Sequence, residues 1–341
     1  MATLSIFDVS PYIHTAEHIS KYSDRKCCNF PVGGLQYFLK FLALDMKIGR
    51  HIVLCFDSKS FRKEIDKNYK GHRKPNYAVY AQLKFLIEQL ERVGIPCYKL
   101  DGYEADDLVH TAVMQNYRHY DDIVIYTGDK DLAHNILDDK VSIEAVNTNC
   151  NSITKSNFLT SISKDREVLF NTVSMFKALT GDTSDNIPAF YLDDGTKGSA
   201  IYQEIFLYLI SHREFNNVKV TLNPQSLKIL VGMLHPNWTD ADKARLDKNI
   251  SLVYPKLADI QISPLKPWTF NYKGFEDLLR LVKAREAMYS FNCVREQTEE
   301  DRKLLAKKGR EFISGEFAAD NNLPLKVMET PSESLFLREF D

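Results

Sequence analysis

Nine acidic side chains, grouped at five places along the chain, are the residues best suited to chemistry. They are Asp8, Asp57, Glu104, Asp106, Asp107, Asp129, Asp131, Asp182 and Asp185. If these carboxylates converge, each pair about 4 Å apart costs roughly 4 kcal/mol at an effective dielectric constant near 20. A protein tolerates such repulsion by protonating some acids or by holding cations among them. The second option predicts two metal ions, roughly 4 Å apart, in a site of the type that cleaves phosphodiesters.

Four short apolar runs predict the strands that would position these acids. They are residues 3–7, 51–56, 122–127 and 141–146. Their β-branched content indicates buried parallel strands. Helix-like segments alternate with them, at 34–48, about 78–93 and about 105–118. The alternation predicts an α/β fold with a central, mostly parallel sheet flanked by helices. Asp8, Asp57 and Asp129 lie at or just past predicted strand ends, the edge where open parallel sheets bind ligands.

Each acidic group also has an ordinary explanation. Asp8 and Asp57 could be turn or capping residues, and acids near Glu104 suit the start of a helix. Asp182 follows a glycine, and an aspartate after a glycine that ends a helix is common in loops. Three acids within residues 104–107 exceed what capping requires, because neighbouring like charges destabilise a helix. The coincidence of every group with a predicted strand or helix end favours one joint site.

A basic stretch leaves the predicted strand end that carries Asp57. Between residues 59 and 74, seven lysines and arginines stand against two acids, Glu64 and Asp66, with tyrosine interleaved. This combination suits neutralisation of phosphates and stacking of bases on a single strand. An ordinary solvated helix is the alternative, but the position beside Asp57 favours nucleic-acid binding.

Composition limits the class of protein without identifying a partner. The chain has 341 residues, 44% of them hydrophobic and 26% charged, with a net charge of −2, which is ordinary for a soluble globular protein. Its six cysteines show no metal-binding spacing, so a reduced, cytosolic setting is expected. Neither a membrane-spanning apolar run nor a signal peptide is evident in the sequence.

The second half of the chain is predicted to be mainly helical. The predicted helices cover residues 166–179, 198–212, 225–234, about 240–250 and 276–290. From residue 298 the sequence is charged and then weakly patterned. We therefore predict an α/β core at 1–185, a helical nucleic-acid-binding region at 186–297 and a weakly structured tail at 298–341.

The order of these motifs resembles that of the flap-endonuclease-like 5′ nucleases. The matching residues are Asp8, Phe56-Asp57, Tyr69-Lys70-Gly-His-Arg73, GYEADDL at 102–108, TGDKDL at 127–132 and GDTSDNIP at 181–188. The resemblance spans about residues 3–255 and is nearest to the RNase H-type 5′ nucleases of large tailed bacteriophages. It implies a PIN-like core with a helical arch at about 58–95. It also implies Mg²⁺-dependent cleavage near the 5′ end of flap DNA or RNA–DNA hybrids.

The same resemblance implies roles for individual residues. The nine acids would hold two Mg²⁺ ions, for which Mn²⁺ would substitute. Lys70 and Arg73 would act as catalytic residues on the scissile phosphate. Nucleic-acid contacts are implied for Arg62, Lys63, Lys67, Tyr69, Lys74, Tyr77, Lys197 and Ser199. The segment 189–200 departs from the Gly-rich helix–three-turn–helix of the family, so we expect an altered grip on duplex DNA.

The C-terminal tail resembles short peptides with which phage replication enzymes dock onto a sliding clamp. Leu335, Phe336 and Phe340 would be its apolar anchors, as suits binding in a groove. The alternative is a last strand or helix that folds back on the core. A single-strand-binding protein is a further candidate partner. We expect a monomer without a membrane partner, in the cytoplasm, which is that of a bacterial host if a phage encodes the protein.

The sequence thus predicts a structure-specific 5′ nuclease that removes RNA primers and flaps during DNA replication. One alternative is a PIN-like ribonuclease of RNA turnover, although such domains are shorter and lack the GDTSDN segment with its helical half. The other alternative is a nucleic-acid-binding protein that has lost its metals, against which the intact set of acids speaks.

Overall fold

The computed structural model describes residues 2–146, 152–154, 172–211, 223–291 and 298–314. The chain divides into two compact units. The first, here called the sheet unit, comprises Met1–Pro11, Gly49–Arg73 and Pro96–Pro267. The second, the helical unit, comprises Tyr12–Ile48, Lys74–Ile95 and Trp268–Asp341. Each unit is assembled from three separate stretches of chain, and the ranges 1–185, 186–297 and 298–341 remain a prediction.

The sheet unit is built on a five-stranded sheet whose strands all pair in parallel. Its strands are β1 (Thr3–Asp8), β4 (His51–Cys55), β5 (Cys97–Tyr98), β6 (Asp122–Thr127) and β7 (Val141–Ala145). The strand order is β5-β4-β1-β6-β7, and β4, β5, β6 and β7 join it by parallel pairing. The remaining strands, β2 (Lys26–Cys27) and β3 (Phe30–Pro31), form an antiparallel pair in the helical unit. The predicted central parallel sheet is confirmed.

Buried apolar side chains hold the central strands in place. Leu4 and Ile6 of β1 are fully buried, as are Val53 of β4 and Ile125 of β6. Ser5 and Phe7 on the other face of β1 are fully buried as well, so a shift by one residue would exchange the side chains that pack in the two layers. The resulting register pairs Asp8 with Cys55 on one side of β1 and Phe7 with Tyr126 on the other. The carboxyl ends of β1, β4 and β6 therefore meet at one edge.

Twelve α-helices and one 3₁₀ helix lie within the described residues. The α-helices are α1 (Ser10–Ala16), α2 (Gly33–Lys47), α3 (Arg62–Ile65), α4 (Tyr77–Arg92), α5 (Ala105–Asn116), α6 (Val173–Thr180), α7 (Gly198–Ser211), α8 (Pro224–Leu234), α9 (Asp240–Val253), α10 (Tyr272–Leu281), α11 (Arg285–Ser290) and α12 (Glu299–Ser314). The 3₁₀ helix is Lys130–Asn135. Helix α5 packs against β1 and β4. Within the described stretches, no helix combines the length and apolar character that a bilayer crossing requires.

Two predicted segments differ from the structure, and a third lies partly outside the described residues. The predicted helix 276–290 is two helices, because Lys283 adopts a left-handed conformation (φ +52°) between α10 and α11. Helix α12 occupies the start of the segment predicted as a weakly structured tail. Of the predicted helix 166–179, residues 166–171 lie outside the described part of the chain, and α6 begins at Val173.

The helical unit is held by a partly buried ion cluster around Glu286 of α11. Lys21 and Lys40 pair with its carboxylate, and the Tyr22 hydroxyl donates a hydrogen bond of 3.1 Å to it. Helix α11 packs against α2, and the Gln36 side-chain amide of α2 donates to the carbonyl oxygen of Val282 at 2.8 Å. Charge and packing thus join distant stretches of this unit.

A buried ion pair between Arg62 and Asp107 ties three segments of the sheet unit together. Both side chains are almost fully buried, with 3% and 0% exposed. The Arg62 guanidinium donates two hydrogen bonds of 2.8 Å to the Asp107 carboxylate. It also donates to the carbonyl oxygens of Leu252 (2.9 Å) and Tyr254 (3.2 Å). The pair therefore connects α3, the start of α5 and the chain that follows α9.

These contacts contradict two predictions. Arg62 cannot reach a nucleic acid, because its guanidinium is buried in this pair. Asp107 is not available as a metal ligand, because its oxygens also accept hydrogen bonds from the backbone amides of Glu104 (3.1 Å) and Lys256 (2.7 Å). Both residues are structural.

Removing one member of this pair should destabilise the protein strongly. Arg62→Met leaves Asp107 as a buried, unpaired charge, so we expect a loss of about 3–5 kcal/mol in the free energy of unfolding. The double variant Arg62→Met/Asp107→Asn should recover part of this loss, because no charge then remains buried. Circular dichroism during thermal unfolding measures the midpoints. Lys63→Met, at the exposed neighbouring position, is the control, and an equal fall in its midpoint would contradict the assignment.

Candidate metal centre

Four aspartates from four elements converge at the carboxyl edge of the sheet. Asp8 ends β1, Asp57 and Asp129 follow β4 and β6 by two residues, and Asp106 lies in the first turn of α5. Burial raises the pKa of Asp8 well above its ordinary value, and the charges of Asp57 and Asp129 raise it further. Burial likewise raises the pKa of Asp106, with Asp129 and Asp8 adding to the effect. We call these residues the four-acid cluster.

Local hydrogen bonds orient two members of the cluster. The Thr127 hydroxyl donates to Asp8 Oδ2 at 2.9 Å and accepts from the backbone amide of Asp129 at 3.0 Å. The backbone amide of Ala105 donates to Asp57 Oδ1 at 2.9 Å, which joins β4 to the amino end of α5. Sequence reasoning missed Thr127, although its position two residues before Asp129 in the TGD motif is a usable signal.

Glu104 links the cluster to the basic stretch. It caps α5, and its carboxylate accepts hydrogen bonds from Lys70 Nζ at 2.8 Å and from the Tyr69 hydroxyl at 2.9 Å. Burial alone would lower the pKa of Lys70, but the nearby negative charges, led by Glu104, raise it well above its ordinary value. The Lys70 ammonium therefore stays charged, and it lowers the pKa values of Asp8 and Asp106 in turn.

Lys177 of α6 joins two further acids. Its ammonium donates to Asp131, and to Asp182 at 2.6 Å. Burial and the charge of Asp129 raise the pKa of Asp131 to about 7 in spite of this lysine. Burial would also raise the pKa of Asp182, but hydrogen bonds from Lys177 and Ser184 outweigh it and hold that pKa below its ordinary value. Sequence reasoning missed Lys177, whose place in the last turn of a helix is also common for a basic residue.

The loop after α6 brings Asp185 to the predicted basic pair. Arg73 donates to Asp185 Oδ1 at 2.5 Å, and Lys70 Nζ lies 3.8 Å from Oδ2. The loop turns back at Gly181, whose φ of +77° suits glycine. A Cβ there would lie 2.6 Å from the backbone nitrogen of Ala189. The structure thus places Lys70, Arg73 and Asp185 together.

A small cavity of about 30 Å³ is lined by five of the predicted acids. Its lining includes Glu104, Asp106, Asp131, Asp182 and Asp185. All five were singled out from the sequence, and the cavity places them around a common space.

The predicted nucleic-acid contacts fall into different environments. Tyr69 cannot stack on a base, because it is 2% exposed and its hydroxyl bonds to Glu104 and to Asp185 at 3.2 Å. That prediction is wrong. Lys63, Lys67 and Lys197 are exposed, and Ser199 is half-buried.

Two other predicted contacts belong to the helical unit, and three lie outside the described residues. Lys74, which is exposed, and Tyr77, which is half-buried, belong to the helical unit. Leu335, Phe336 and Phe340 lie outside the described part of the chain.

The donor set of this edge suits a hard divalent cation. As the side chains stand, no three Asp, Glu, His or Cys groups of the described residues form a ready metal cluster, and Lys70 and Lys177 contact several of the acids instead. Mg²⁺ and Mn²⁺ prefer carboxylate oxygens to softer ligands such as thiolates. Burial, followed by the charges of neighbouring aspartates, raises the pKa values of Asp8 and Asp106, and a bound cation would offset both effects.

Comparison with known proteins agrees with the motif order. Residues 3–163 match the family model described as the N-terminal resolvase-like domain of 5′-3′ exonuclease. DNA polymerase I of Caldicellulosiruptor bescii is 33% identical over 166 residues, which is 47% of this chain and 19% of that protein. The 5′-3′ exonuclease of Buchnera aphidicola is 31% identical over 180 residues, 51% of this chain and 56% of that one. The chain therefore spans about a fifth of the length of the first relative and about half of the length of the second.

A solved structure of the flap endonuclease of bacteriophage T5, in complex with DNA and metal ions, is similar at 19% identity with a TM-score of 0.49. The alignment covers 91% of this chain and 98% of that one. The family model and the curated relatives agree with the resemblance of these motifs to the flap-endonuclease-like 5′ nucleases.

Proposed function

We propose that this protein is a structure-specific 5′ nuclease, with 5′→3′ exonuclease and flap-endonuclease activity. Its substrates would be flap DNA and RNA–DNA hybrids, from which it removes RNA primers and flaps during DNA replication in the cytoplasm. The observation that carries the proposal is the four-acid cluster at the carboxyl edge of a parallel sheet, with the Lys70 ammonium beside it. The family of residues 3–163 supports it.

The acids divide into two groups that would each hold one divalent ion, Mg²⁺ first and Mn²⁺ as a substitute. The four-acid cluster would hold one, and Asp131, Asp182 and Asp185 would hold the other, with Glu104 between the groups. When bound, such ions lower the pKa of the attacking water and stabilise the leaving 3′ oxygen. Asp107 takes no part, because Arg62 and two backbone amides occupy it.

Lys70 and Arg73 would act on the substrate. The Lys70 ammonium, 17% exposed on its side chain, stands beside Glu104 and close enough to the cluster to stabilise negative charge on a scissile phosphate. Arg73 is about half exposed and would bind a neighbouring phosphate in exchange for its contact with Asp185. The exposed Lys63, Lys67 and Lys197 would bind phosphates further along the substrate.

Replacing one member of the cluster should separate cleavage from binding. Asp106→Asn removes a carboxylate from the cluster while keeping its size, so we expect the rate of 5′-flap cleavage in Mg²⁺ to fall at least about 100-fold. Binding of the flap should change little. Cleavage of end-labelled flap DNA and of single-stranded RNA of the same sequence measures both rate and preference. Asp259→Asn, at an exposed acid of the same unit, is the control.

Each other outcome of this experiment favours a different function. Absence of flap cleavage by the unmodified protein with every divalent ion tried would overturn the proposal. Faster cleavage of the RNA would favour a PIN-like ribonuclease. Tight binding of the flap without cleavage would favour a nucleic-acid-binding protein.

Divalent ions should also stabilise the folded protein. An ion that binds only the folded state at 100 times its dissociation constant adds about 2.7 kcal/mol to the free energy of unfolding. We expect the thermal midpoint to rise with Mg²⁺ after treatment with EDTA, and to rise much less in Asp106→Asn. Asp259→Asn should respond like the unmodified protein. An equal rise in all three proteins would contradict a metal site at the cluster.

The C-terminal residues should bind a partner protein and should not affect the rate of cleavage itself. We propose that Leu335, Phe336 and Phe340 bind a sliding clamp, so deletion of 331–341 should leave intrinsic cleavage intact and abolish its stimulation by the clamp. Glu333→Ala is a control within the same segment. Unchanged stimulation after the deletion would retire the clamp contact. A single-strand-binding protein remains a second candidate partner of what we expect to be a monomer.

A further inference from the structure

Two aromatic rings form an exposed surface on the helical unit. Trp268 is 59% exposed and Tyr272, the first residue of α10, is 37% exposed. Their ring centroids lie 5.9 Å apart with an interplanar angle of 37°. Aromatic rings bury more apolar area than most side chains, so two neighbouring rings left in solvent indicate a surface that binds something.

The backbone holds Trp268 outward at a conformational cost. Its φ of +64° is left-handed, which is unfavourable for a residue with a Cβ. The following residues fix this turn in place. The Phe270 ring packs against that of Phe275 at 5.7 Å, and the backbone amide of Asn271 donates to the carbonyl oxygen of Val93 at 2.8 Å. The chain therefore anchors Phe270 and leaves Trp268 in solvent.

The second ring rests on the core of the unit. The Tyr272 ring lies 5.2 Å from that of Phe291, which in turn lies 5.2 Å from the fully buried Phe275. Rigid backing of this kind reduces the ordering cost when a flat ligand stacks on the exposed ring.

The charge around these rings suits a polyanion. Lys273 adjoins Tyr272 and is exposed, and no carboxylate of the described residues pairs with it. The sequence from Pro264 to Phe275 contains two lysines and no acid. Asp277 further along α10 is paired with Arg280 at 3.1 Å. The amino end of α10 adds a partial positive charge. Flat rings beside positive charge fit a ligand that has both bases and phosphates.

We propose that Trp268 and Tyr272 bind single-stranded nucleic acid by stacking on its bases, with Lys273 contacting its phosphates. Stacking of this kind tolerates any base sequence, because every base has an aromatic face. The site shares the substrate class of the proposed nuclease but none of its candidate catalytic residues. Binding measured without divalent ions therefore tests it independently of cleavage.

The two tryptophans of the chain, Trp238 and Trp268, allow a direct measurement. In Trp238→Phe the fluorescence comes from Trp268 alone. We expect a thymidine oligonucleotide, added in EDTA, to quench this fluorescence saturably, and the affinity to fall as salt is raised. An oligonucleotide of the same length with abasic positions should bind more weakly and quench little. In Trp268→Phe, where Trp238 remains, the oligonucleotide should leave fluorescence nearly unchanged.

Two variants separate stacking from charge. Tyr272→Ala, in the Trp238→Phe background, should weaken binding about tenfold. Lys273→Met should reduce the slope of log affinity against log salt concentration by about one, which corresponds to one phosphate contact. If Trp238→Phe folds poorly, Tyr272→Ala is made in the otherwise unmodified protein. The anisotropy of a labelled oligonucleotide then measures the binding affinity. Absence of quenching, equal quenching by the abasic strand, or a fluorescence change on protein concentration alone would overturn the proposal. The last result would indicate a protein contact instead.

Discussion

The concentration of negative charge at one edge of a parallel sheet is the constraint on which the rest of the sheet unit depends. The register of β1 with its neighbours brings the carboxyl ends of three strands together, and Asp8, Asp57 and Asp129 stand at or just beyond those ends. The protein supplies cations around this edge: Lys70 at Glu104 and Lys177 between Asp131 and Asp182. The pKa values of Asp8 and Asp106 stay raised in spite of them. Burial and the charges of neighbouring aspartates cause this rise, and a divalent ion bound at the cluster would offset both.

Arg62 and Lys70, two basic residues of the stretch 59–74, differ in burial, and the geometry of their head groups suits the difference. Arg62 offers several donors in a rigid plane, and the protein uses them on Asp107, Glu104 and two backbone carbonyls in its interior. Lys70 is a compact charge on a flexible stem, and it reaches Glu104 while keeping some contact with solvent. A charge run that looks uniform in sequence therefore contains both a buried ion pair and a lysine that is partly exposed to solvent.

The sequence predicted the sheet, its strands and the edge where the acids meet, because buried apolar runs and strand–helix alternation are local patterns. It could not tell Asp106 from Asp107. Consecutive residues on a helix point about 100° apart, so only one can face the edge, and the choice depends on where Arg62 is buried. The break at Lys283 carries no glycine or proline, and nothing local marks it. The burial of Tyr69 likewise follows from tertiary contacts with Glu104 and Asp185, which adjacent basic residues do not reveal.

The last acidic motif acquires its meaning from the basic pair that it contacts. The backbone amide of Lys70 donates to the carbonyl oxygen of Asp185 at 3.0 Å, and the Asn186 side chain donates to that of Asn68 at 2.9 Å. Because Lys70 is left-handed (φ +51°), the turn that presents its ammonium needs such outside support. The loop at 181–187 provides it, so the GDTSDN segment and the pair Lys70 and Arg73 form one structural piece. A protein without that loop would have to support the same left-handed turn at Lys70 by other contacts.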